Sequence, residues 1–354
     1  MSNSLKHRLP WHAGPLAWGP AVIAGLGCAL PLLLGLATAH SGFLWAAIGA
    51  LQASQANPLN RIGMLRMLLL TGLGALSAAL GLWAAYDPLL SAATFACAGL
   101  LVAWLHRFGS EASKLGIGLS ISLCLGQGQF GIGNLHNPAA VAMLFALGGL
   151  WVMLLGFALR GLHGLRLWPY MPRLISLLKV LKRHAKRLPA QQWHLHAWAC
   201  CLAYASAALI VNLANLSHGY WLTLAVMGTL QLGFQRNLSR ALLISLATLG
   251  IACALIALGY RLQDPASMVA IALCVVILGR AMQASHYALY AAQTSLAFML
   301  LAESISLDWH QPQMRLLNVL IGTILGLAVT WLLYSLEVRR RRAQRSAKRQ
   351  STQA

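Results

Sequence analysis

The stretch Ser217-His218-Gly219-Tyr220-Trp221 opens a short apolar segment that ends at Gln231. A related stretch, Ser41-Gly42-Phe43-Leu44-Trp45, opens an earlier apolar segment that ends at Gln55. Trp45 and Trp221 lie 176 positions apart, and Gln55 and Gln231 have the same spacing. Arginines follow both segments closely: Arg61, Arg66, Arg236 and Arg240. The spacing predicts one structural module that is written twice in the chain.

The composition places this module in a membrane. Of the 354 residues, 59% are hydrophobic and only 9% are charged, whereas a soluble domain carries about 25% charged residues. Long apolar runs recur along the whole chain, and a run of about 20 residues crosses a hydrocarbon core of about 30 Å. Glycine and alanine are abundant in these runs, which favours close packing of helices in a bilayer.

We therefore predict an all-α polytopic membrane protein with about twelve transmembrane helices, arranged as two parallel six-helix repeats. An even number of spans in each half gives both halves the same orientation. The second span of each half is short and is expected to enter the membrane only partly or with little tilt. The predicted spans are 15–38, 43–57, 64–86, 88–105, 114–131 and 139–160, then 197–215, 219–234, 240–260, 266–281, 285–304 and 315–336.

Four segments follow from these spans. Residues 1–160 form the N-terminal membrane repeat, and residues 161–195 form a basic cytoplasmic linker. Residues 196–337 form the C-terminal membrane repeat, and residues 338–354 form a basic cytoplasmic tail. The linker contains leucines at helical spacing opposite lysines and arginines, which predicts an amphipathic helix on an anionic membrane surface. Whether this helix is only a strut on the lipid surface or also captures acidic substrate stays open.

The net charge of +20 is explained by topology better than by nucleic-acid binding. If the N-terminus is cytoplasmic, 24 of the 26 lysines and arginines fall in cytoplasmic loops, the linker or the tail, and only Arg261 and Arg315 fall outside. This distribution agrees with the positive-inside rule. Basic residues do not lie beside aromatic platforms, as a nucleic-acid surface requires. We expect both termini to be cytoplasmic and no nucleic-acid partner.

The second half resembles the FUSC family, the fusaric acid resistance and aromatic acid exporter membrane proteins. His218-Gly219-Tyr220-Trp221-Leu222-Thr223 is similar to the family's Gly-aromatic-Trp-x-x-Thr signature, and it is followed by Gln231, Arg236 and Arg240. The segment from Met314 to Gly322, with Arg315 near its start, is similar to the closing helix of the family. The first half resembles the family more loosely, through Trp45, Gln55, Arg66, Gly72 and Gly74.

The resemblance implies a multi-pass protein of the bacterial inner (plasma) membrane that exports small, often aromatic, carboxylic acids. Two departures matter. Many relatives carry a large soluble cytoplasmic region, whereas this chain has only the linker. Many relatives also place an acidic residue near the position of Asn318, so a proton carried there would need another group in this chain.

Aromatic and amide side chains of the short second spans are candidate substrate-binding groups. Trp45, Gln52 and Gln55 fall on one side of a helix, and Trp221 and Gln231 repeat that arrangement. An indole face and amides suit an aromatic acid. The alternative is that the tryptophans belong to an interfacial belt and the glutamines pair between helices. Thr223, part of the family-like signature, is a further substrate-binding candidate.

Charged and titratable residues supply the other candidates. Arg315 can hold a substrate carboxylate in a bidentate fork or pair with Asp308, and Arg236 can guide an anion or only set loop orientation. Glu303 and His218 are the proton-coupling candidates, because a carboxylate near the membrane is costly unless it functions and histidine titrates near neutral pH. A solvated helix end for Glu303 and an interfacial position for His218 are the alternatives.

No enzyme, cofactor or metal site is predicted. Gly126-Gln127-Gly128-Gln129-Phe130-Gly131 matches Gly-x-Gly-x-x-Gly but lacks the strand and helix of a dinucleotide site. His194 and His196 have no third metal ligand in view. The leading function is proton-driven export of small organic anions, with membrane lipids as surroundings. A non-transporting scaffold for lipid or protein and a passive anion channel are the alternatives, and homo-oligomers and an envelope partner protein stay open.

Overall fold

A computed structural model describes residues 16–56, 61–128, 135–160, 190–216, 218–230, 238–239, 241–242, 244–250, 253, 264–282 and 311–353. Its helices are α1 (Trp18–Thr38), α2 (Phe43–Ser54), α3 (Arg61–Ala84), α4 (Pro88–His106), α5 (Ser110–Gln127), α6 (Pro138–Arg160), α7 (Ala190–Leu213), α8 (Tyr220–Thr229), α9 (Pro265–Met282) and α10 (Gln311–Gln353). The described residues contain no β-strand, which confirms the all-helical fold class.

Six helices in the described part are long and apolar enough to cross a membrane. They are Trp18–Thr38, Gly63–Ala84, Pro88–His106, Pro138–Leu159, Trp193–Leu213 and Gln313–Leu336. Large apolar side chains point outward from them, as expected of helices surrounded by lipid: Leu76, Leu89, Leu154 and Ile324 are each at least half exposed. The predicted span 285–304 lies outside the described residues, and 240–260 is described only in short helical pieces. The count of twelve spans therefore stays a prediction.

The second helix of each half is too short to cross a bilayer. α2 has 12 residues and α8 has 10, which gives lengths of about 18 and 15 Å at 1.5 Å per residue. A hydrocarbon core is about 30 Å thick. Both helices end earlier than the sequence predicts, and Leu230 after α8 is already extended, with φ −73° and ψ 112°. Non-helical backbone at membrane depth persists only where protein or a polar cavity surrounds it.

Aspartate and proline start the fourth helix of each half. Asp87 Oδ1 accepts hydrogen bonds from the backbone N–H of Leu89 at 2.8 Å and Leu90 at 3.3 Å, and Pro88 follows it at the start of α4. Asp264 Oδ2 accepts from the N–H of Ser267 at 3.1 Å at the start of α9. An aspartate cap satisfies amides that a helix start leaves without partners, and proline suits the first helical position. These two carboxylates therefore define helix starts.

The two ends of the bundle can be told apart by their loops. The end that carries the two tryptophan motifs, here the motif end, also holds the turn before α4, where Tyr86 Oη donates to the carbonyl of His136 at 3.5 Å. The other end, here the linker end, holds the starts of α1 and α7. There the N–H of Ala17 donates to the carbonyl of Ala281 at 3.1 Å, and Trp193 Nε1 donates to the carbonyl of Ala103 at 2.9 Å.

Helices of the two halves pack in matching pairs. Within the first half α2 packs on α6 and on α1, and within the second half α8 packs on α10 and on α7. Across the halves, α1 packs on α9 and α7 packs on α4. α1 thus contacts a helix that follows it by more than 200 residues, and α7 contacts a helix that precedes it.

Two apolar clusters fill the interior. The larger one surrounds α2 and includes Trp45, Phe145 and Met67 of the first half together with Tyr220 and Trp221 of the second. The smaller one lies mainly between α4 and α7. Since both motif tryptophans belong to the larger cluster, the short helices of the two halves meet in a shared core.

The last helix extends beyond the predicted span. The sequence places the span at 315–336 and a separate basic tail after it, whereas α10 runs without a break from Gln311 to Gln353. The tail contains no proline or glycine, and arginine, lysine, alanine and glutamine are strong helix formers. The membrane helix therefore continues through the basic segment.

Candidate functional site

The candidate site lies at the motif end of α8, where a tight turn leads into the helix. His218 has φ 56°, a left-handed conformation that is uncommon for a residue with a side chain. The next residue must be small, because a Cβ at Gly219 would collide with the side chain of Val211. The carbonyl of His218 accepts from the N–H of Trp221 at 3.1 Å. This turn directs the aromatic side chains of the motif into the protein.

Arg315 lies over the ring of Trp221. The guanidinium carbon is 3.7 Å from the ring centroid, and Arg315 is 1% exposed while Trp221 is 6% exposed. A cation over an indole face is attracted by about 2 kcal/mol or more when water is excluded. Moving a cation out of water costs several kcal/mol, so the aromatic contact offsets only part of that cost. The site therefore places one guanidinium in a largely apolar interior.

Aromatic rings extend the site from Trp221 toward the turn. The rings of Tyr220 and Trp221 have centroids 4.8 Å apart and are tilted by 36°. The rings of His218 and Tyr220 have centroids 6.2 Å apart. These distances fall in the range of favourable aromatic pairs. An arginine, an indole, a phenol and an imidazole thus form one aromatic and cationic cluster, here called the Arg315 cluster.

Close packing of α10 on α8 sets the position of Arg315. A Cβ added at Gly322 would collide with the carbonyl oxygen of Leu222, and one added at Gly326 would lie 2.5 Å from Oγ1 of Thr229. Glycines at these positions let the two backbones approach closely. Arg315 is seven residues before Gly322, which is about two helical turns, so it projects from the same region of α10 toward α8.

Asn318 takes a structural role in the turn. Its Nδ2 donates to the carbonyl of His218 at 3.2 Å, and the residue is 5% exposed. This hydrogen bond ties α10 to the strained turn before α8. A neutral amide donates here, which an ionised carboxylate cannot do.

A glutamine from the first half approaches the cluster. Gln127, the last residue of α5, is 5% exposed, and its Oε1 makes no hydrogen bond in the described structure. The next residue, Gly128, is so close to Tyr220 that an added Cβ would lie 2.6 Å from Cδ1 of that ring. In the sequence, Gln127 is notable only as part of the Gly-x-Gly-x-x-Gly match, which lacks the strand and helix of a dinucleotide site. No local signal in the sequence could have placed the end of α5 beside Tyr220.

The substrate-binding candidates of the first half lie along α2. Trp45 is 1% exposed and Gln52 is fully buried. Both polar side-chain atoms of Gln52 lack a hydrogen bond in the described structure, although a buried amide usually has partners. The carbonyl of Gln55 accepts from Nη2 of Arg66 at 3.1 Å. Seven residues separate Trp45 from Gln52, about 10 Å along the helix, so α2 presents an aromatic group and an amide at different depths.

Thr223 is buried, but its hydroxyl donates to the carbonyl of Tyr220 at 2.9 Å within the same helix. Several other candidates fall outside the described residues, so the structure says nothing about their surroundings: Gln231, Arg236, Arg240, Glu303 and Asp308. The structure therefore brings Trp221, Arg315 and His218 together. It places Trp45, Gln52 and Gln55 along the neighbouring short helix.

One cross-half contact was not expected from the sequence. Arg280, which the sequence suggests only as a topology signal, is 9% exposed. Its Nε donates to the carbonyl of Ser54 at 2.9 Å and its Nη2 to that of Ala56 at 3.4 Å. The carbonyls at the end of a helix carry partial negative charge, and a cation there is stabilising. Arg280 of α9 thus holds the end of α2.

Residues 205–329 match the fusaric acid resistance protein-like family. The matched segment begins within α7 and ends within α10, and it includes Trp221, Arg315 and Asn318. This match supports the resemblance to the FUSC family that the motif residues indicated. Neither the curated proteins nor the solved structures include a significant match to this chain. The family match and the apolar helices together indicate a membrane protein with a transport or efflux role.

Proposed function

We propose that this chain exports small organic anions, with aromatic carboxylic acids as the leading class, and that the proton gradient drives the export. The Arg315 cluster is the observation that carries the proposal. It combines a buried cation with aromatic faces, which are the two features that recognise an aromatic carboxylate. The match to the fusaric acid resistance protein-like family supports the same direction.

The geometry of the cluster suits a carboxylate. In a cation–π contact the flat face of the guanidinium meets the ring, and its N–H donors lie around the edge. A carboxylate binds along that edge with two parallel hydrogen bonds. An aromatic ring attached to the carboxylate would pack against Tyr220 or His218, which lie beside Trp221.

The short helices locate the proposed path. Interrupted helices at corresponding places in two halves are the best pointer to a transport site in a membrane protein. Here α2 and α8 follow the two tryptophan motifs, and Trp45 and Trp221 share one core. The matching pairs across the halves, α1 with α9 and α4 with α7, support a parallel two-repeat arrangement as part of the proposal. Gln52, Gln55, Thr223, Gln231 and Arg236 are proposed to line the rest of the path.

The burial of the tryptophans favours transport over a scaffold. A scaffold that only anchors in lipid would place its motif tryptophans at the lipid interface, whereas Trp45 and Trp221 are 1% and 6% exposed. A passive anion channel differs from an exporter in its energy source. Channel flux would persist after the proton gradient is collapsed. We place the protein in the bacterial inner membrane with both termini in the cytoplasm, alone, as a homo-oligomer or with an envelope partner.

Efflux from proteoliposomes tests the proposal. Vesicles that contain the full chain are loaded with labelled 4-hydroxybenzoate at neutral pH, and the exterior is acidified. We expect efflux above that of protein-free vesicles, and we expect an uncoupler to abolish the difference. Labelled cyclohexanecarboxylate, which has the charge but no aromatic ring, is expected to leave more slowly. An efflux rate that is the same with and without the proton gradient would favour the channel.

Two variants and a matched control place the site. Arg315→Gln should abolish gradient-driven efflux. Trp221→Leu should weaken apparent affinity about 30-fold, the equivalent of about 2 kcal/mol. Trp331→Leu is the control, because Trp331 lies on the same helix as Arg315 but is 59% exposed. Equal activity of the folded Arg315→Gln protein and the wild type would refute the proposed site. Absence of flux for a panel of aromatic acids would refute the substrate class.

A further inference from the structure

Two histidines meet between the halves at the linker end. His106 is the last residue of α4, and its Nδ1 lies 2.9 Å from Nε2 of His196 on α7. The ring centroids are 5.1 Å apart. His196 is 6% exposed, and His106 is half-buried. The two residues are 90 positions apart in the chain and belong to different halves.

The distance between the rings defines their protonation chemistry. A neutral imidazole has one N–H donor and one acceptor nitrogen, so the two facing nitrogens make one N–H···N hydrogen bond when only one of them carries a proton. When each ring has bound a proton, N–H groups and positive charges face each other at this contact. Like charges at such a distance repel strongly in a partly buried site. Protonation of both rings therefore converts an attractive contact into a repulsive one.

The histidine pair lies at the interface between α4 and α7. α7 packs along α4, and two further contacts join the same ends. Trp193 Nε1 donates to the carbonyl of Ala103 at 2.9 Å, and the guanidinium of Arg107 lies 5.2 Å from the Trp193 ring centroid. A change in the histidine contact thus acts directly on the spacing of α4 and α7 at the linker end.

Several other titratable and charged groups lie on the described elements around the pair. Cys200 Sγ lies 3.6 Å from Nε2 of His196, and its thiol is buried in the same core. On the helices packed against α4 and α7, the remaining groups near this end are Arg107, Lys114 and Arg66, with His194, Cys97 and Cys201 on the two helices themselves. Arg66 binds the carbonyl of Gln55. Between Leu316 and Leu336, α10 carries no charged residue, and its charged residues at the linker end begin with Glu337 and Arg339.

The corresponding interface lacks such a pair. α1 and α9 pack on each other as α7 and α4 do. At the 176-residue spacing, the positions that correspond to His196 and His106 are Pro20 and Met282, and neither side chain titrates. A backbone hydrogen bond from Ala17 to Ala281 joins these ends instead. One of the two interfaces thus carries two imidazoles at this position and the other carries none.

We propose that His106 and His196 form a proton-binding site that couples proton movement to opening between the halves at the linker end. This inference rests on the proposed function. Binding of a proton to each imidazole breaks the contact and lets α4 and α7 separate, which opens the path for the anion at that end. Proton release from the imidazoles to the adjoining water restores the hydrogen bond and closes it. An exporter that exchanges protons for anions needs such a link.

Nitrogen NMR of the histidine rings tests the site without transport. The full chain, ¹⁵N-labelled at histidine, is placed in lipid nanodiscs and titrated from pH 8 to pH 5. We expect a hydrogen-bonded ring pair at high pH that is lost as protons bind. His106→Gln and His196→Gln should each remove the pair and shift the titration of the remaining ring. The exposed His194 supplies a control, since His194→Gln should leave the pair unchanged. A pair that stays neutral and hydrogen-bonded throughout would overturn the proposal.

Transport measurements separate this proposal from the proposed function. In proteoliposomes, His196→Gln should lose gradient-driven efflux and keep exchange of labelled for unlabelled 4-hydroxybenzoate, which needs no net proton movement. A merely structural role would reduce both rates together, and that result would overturn the coupling role. Full gradient dependence in the variant would also overturn it and leave export standing. If the wild type moves no aromatic acid by either assay, the proposed function fails, and the coupling role fails with it even where NMR shows proton binding.

Discussion

Replacing Gly322 with alanine tests how closely α10 must pack on α8 to hold Arg315 in place. An added Cβ would lie 2.9 Å from Cβ of Ala225 and would collide with the carbonyl oxygen of Leu222. Carbon atoms in good contact are about 3.5–4.0 Å apart, so the helices must separate by about 0.6–1 Å. Leu222 contributes backbone at this contact, which cannot rotate away as a flexible side chain can.

The energetic effect can be isolated with a matched control. Overpacking of this kind costs about 1–3 kcal/mol, whereas glycine to alanine in a helix interior gains up to about 1 kcal/mol of helix propensity. Gly72 lies inside α3, and an added Cβ there meets nothing within 4 Å. Gly72→Ala thus gains the same helix propensity without creating a collision. The free energy of unfolding of Gly322→Ala should be lower than that of Gly72→Ala by about 1–3 kcal/mol.

The assay is unfolding in mixed micelles of mild detergent and sodium dodecyl sulfate, followed by tryptophan fluorescence. The same preparations are tested for binding of 4-hydroxybenzoate. Because Arg315 is two turns from Gly322, the displaced helix should also weaken binding, and Gly72→Ala should not. Equal stability of the two variants would show that α8 and α10 do not pack as closely as described, and the reasoning about Arg315 would fail with it.

Two further substitutions test contacts that position the helices. Arg280→Gln removes charge-assisted hydrogen bonds to the carbonyls of Ser54 and Ala56 and should lower the free energy of unfolding by about 1.5–3 kcal/mol. Arg339→Gln, in the exposed part of α10, is the control and should change this free energy little. An Arg280→Gln protein as stable as the wild type would contradict the cap on α2. Asp87→Ala should cost about 1 kcal/mol through loss of the α4 cap, while Asp87→Asn should cost much less because asparagine also caps helices. Equal losses in the two Asp87 variants would point to a charge effect instead.

The hydrophobic pattern predicted the long helices well. The expected spans 15–38, 88–105 and 266–281 correspond to α1 (Trp18–Thr38), α4 (Pro88–His106) and α9 (Pro265–Met282). These spans are largely apolar, and the lengths of the first two suit the membrane thickness. Boundaries set by local backbone geometry were less accurate. α5 begins at Ser110 because Gly109, with φ 107°, makes the turn there, whereas the sequence suggested residue 114.

The sequence by itself determined that this chain is a helical membrane protein, that two tryptophan motifs lie 176 positions apart, and which residues carry charge. Those properties depend on composition and spacing along one chain. Only the tertiary structure decided that Arg315 lies over Trp221, that Arg280 holds the end of α2, and that His106 meets His196. Each of these contacts joins residues about 90 or more positions apart, through helices whose approach depends on glycine positions and side-chain packing. No periodicity within a single helix encodes which neighbour it meets.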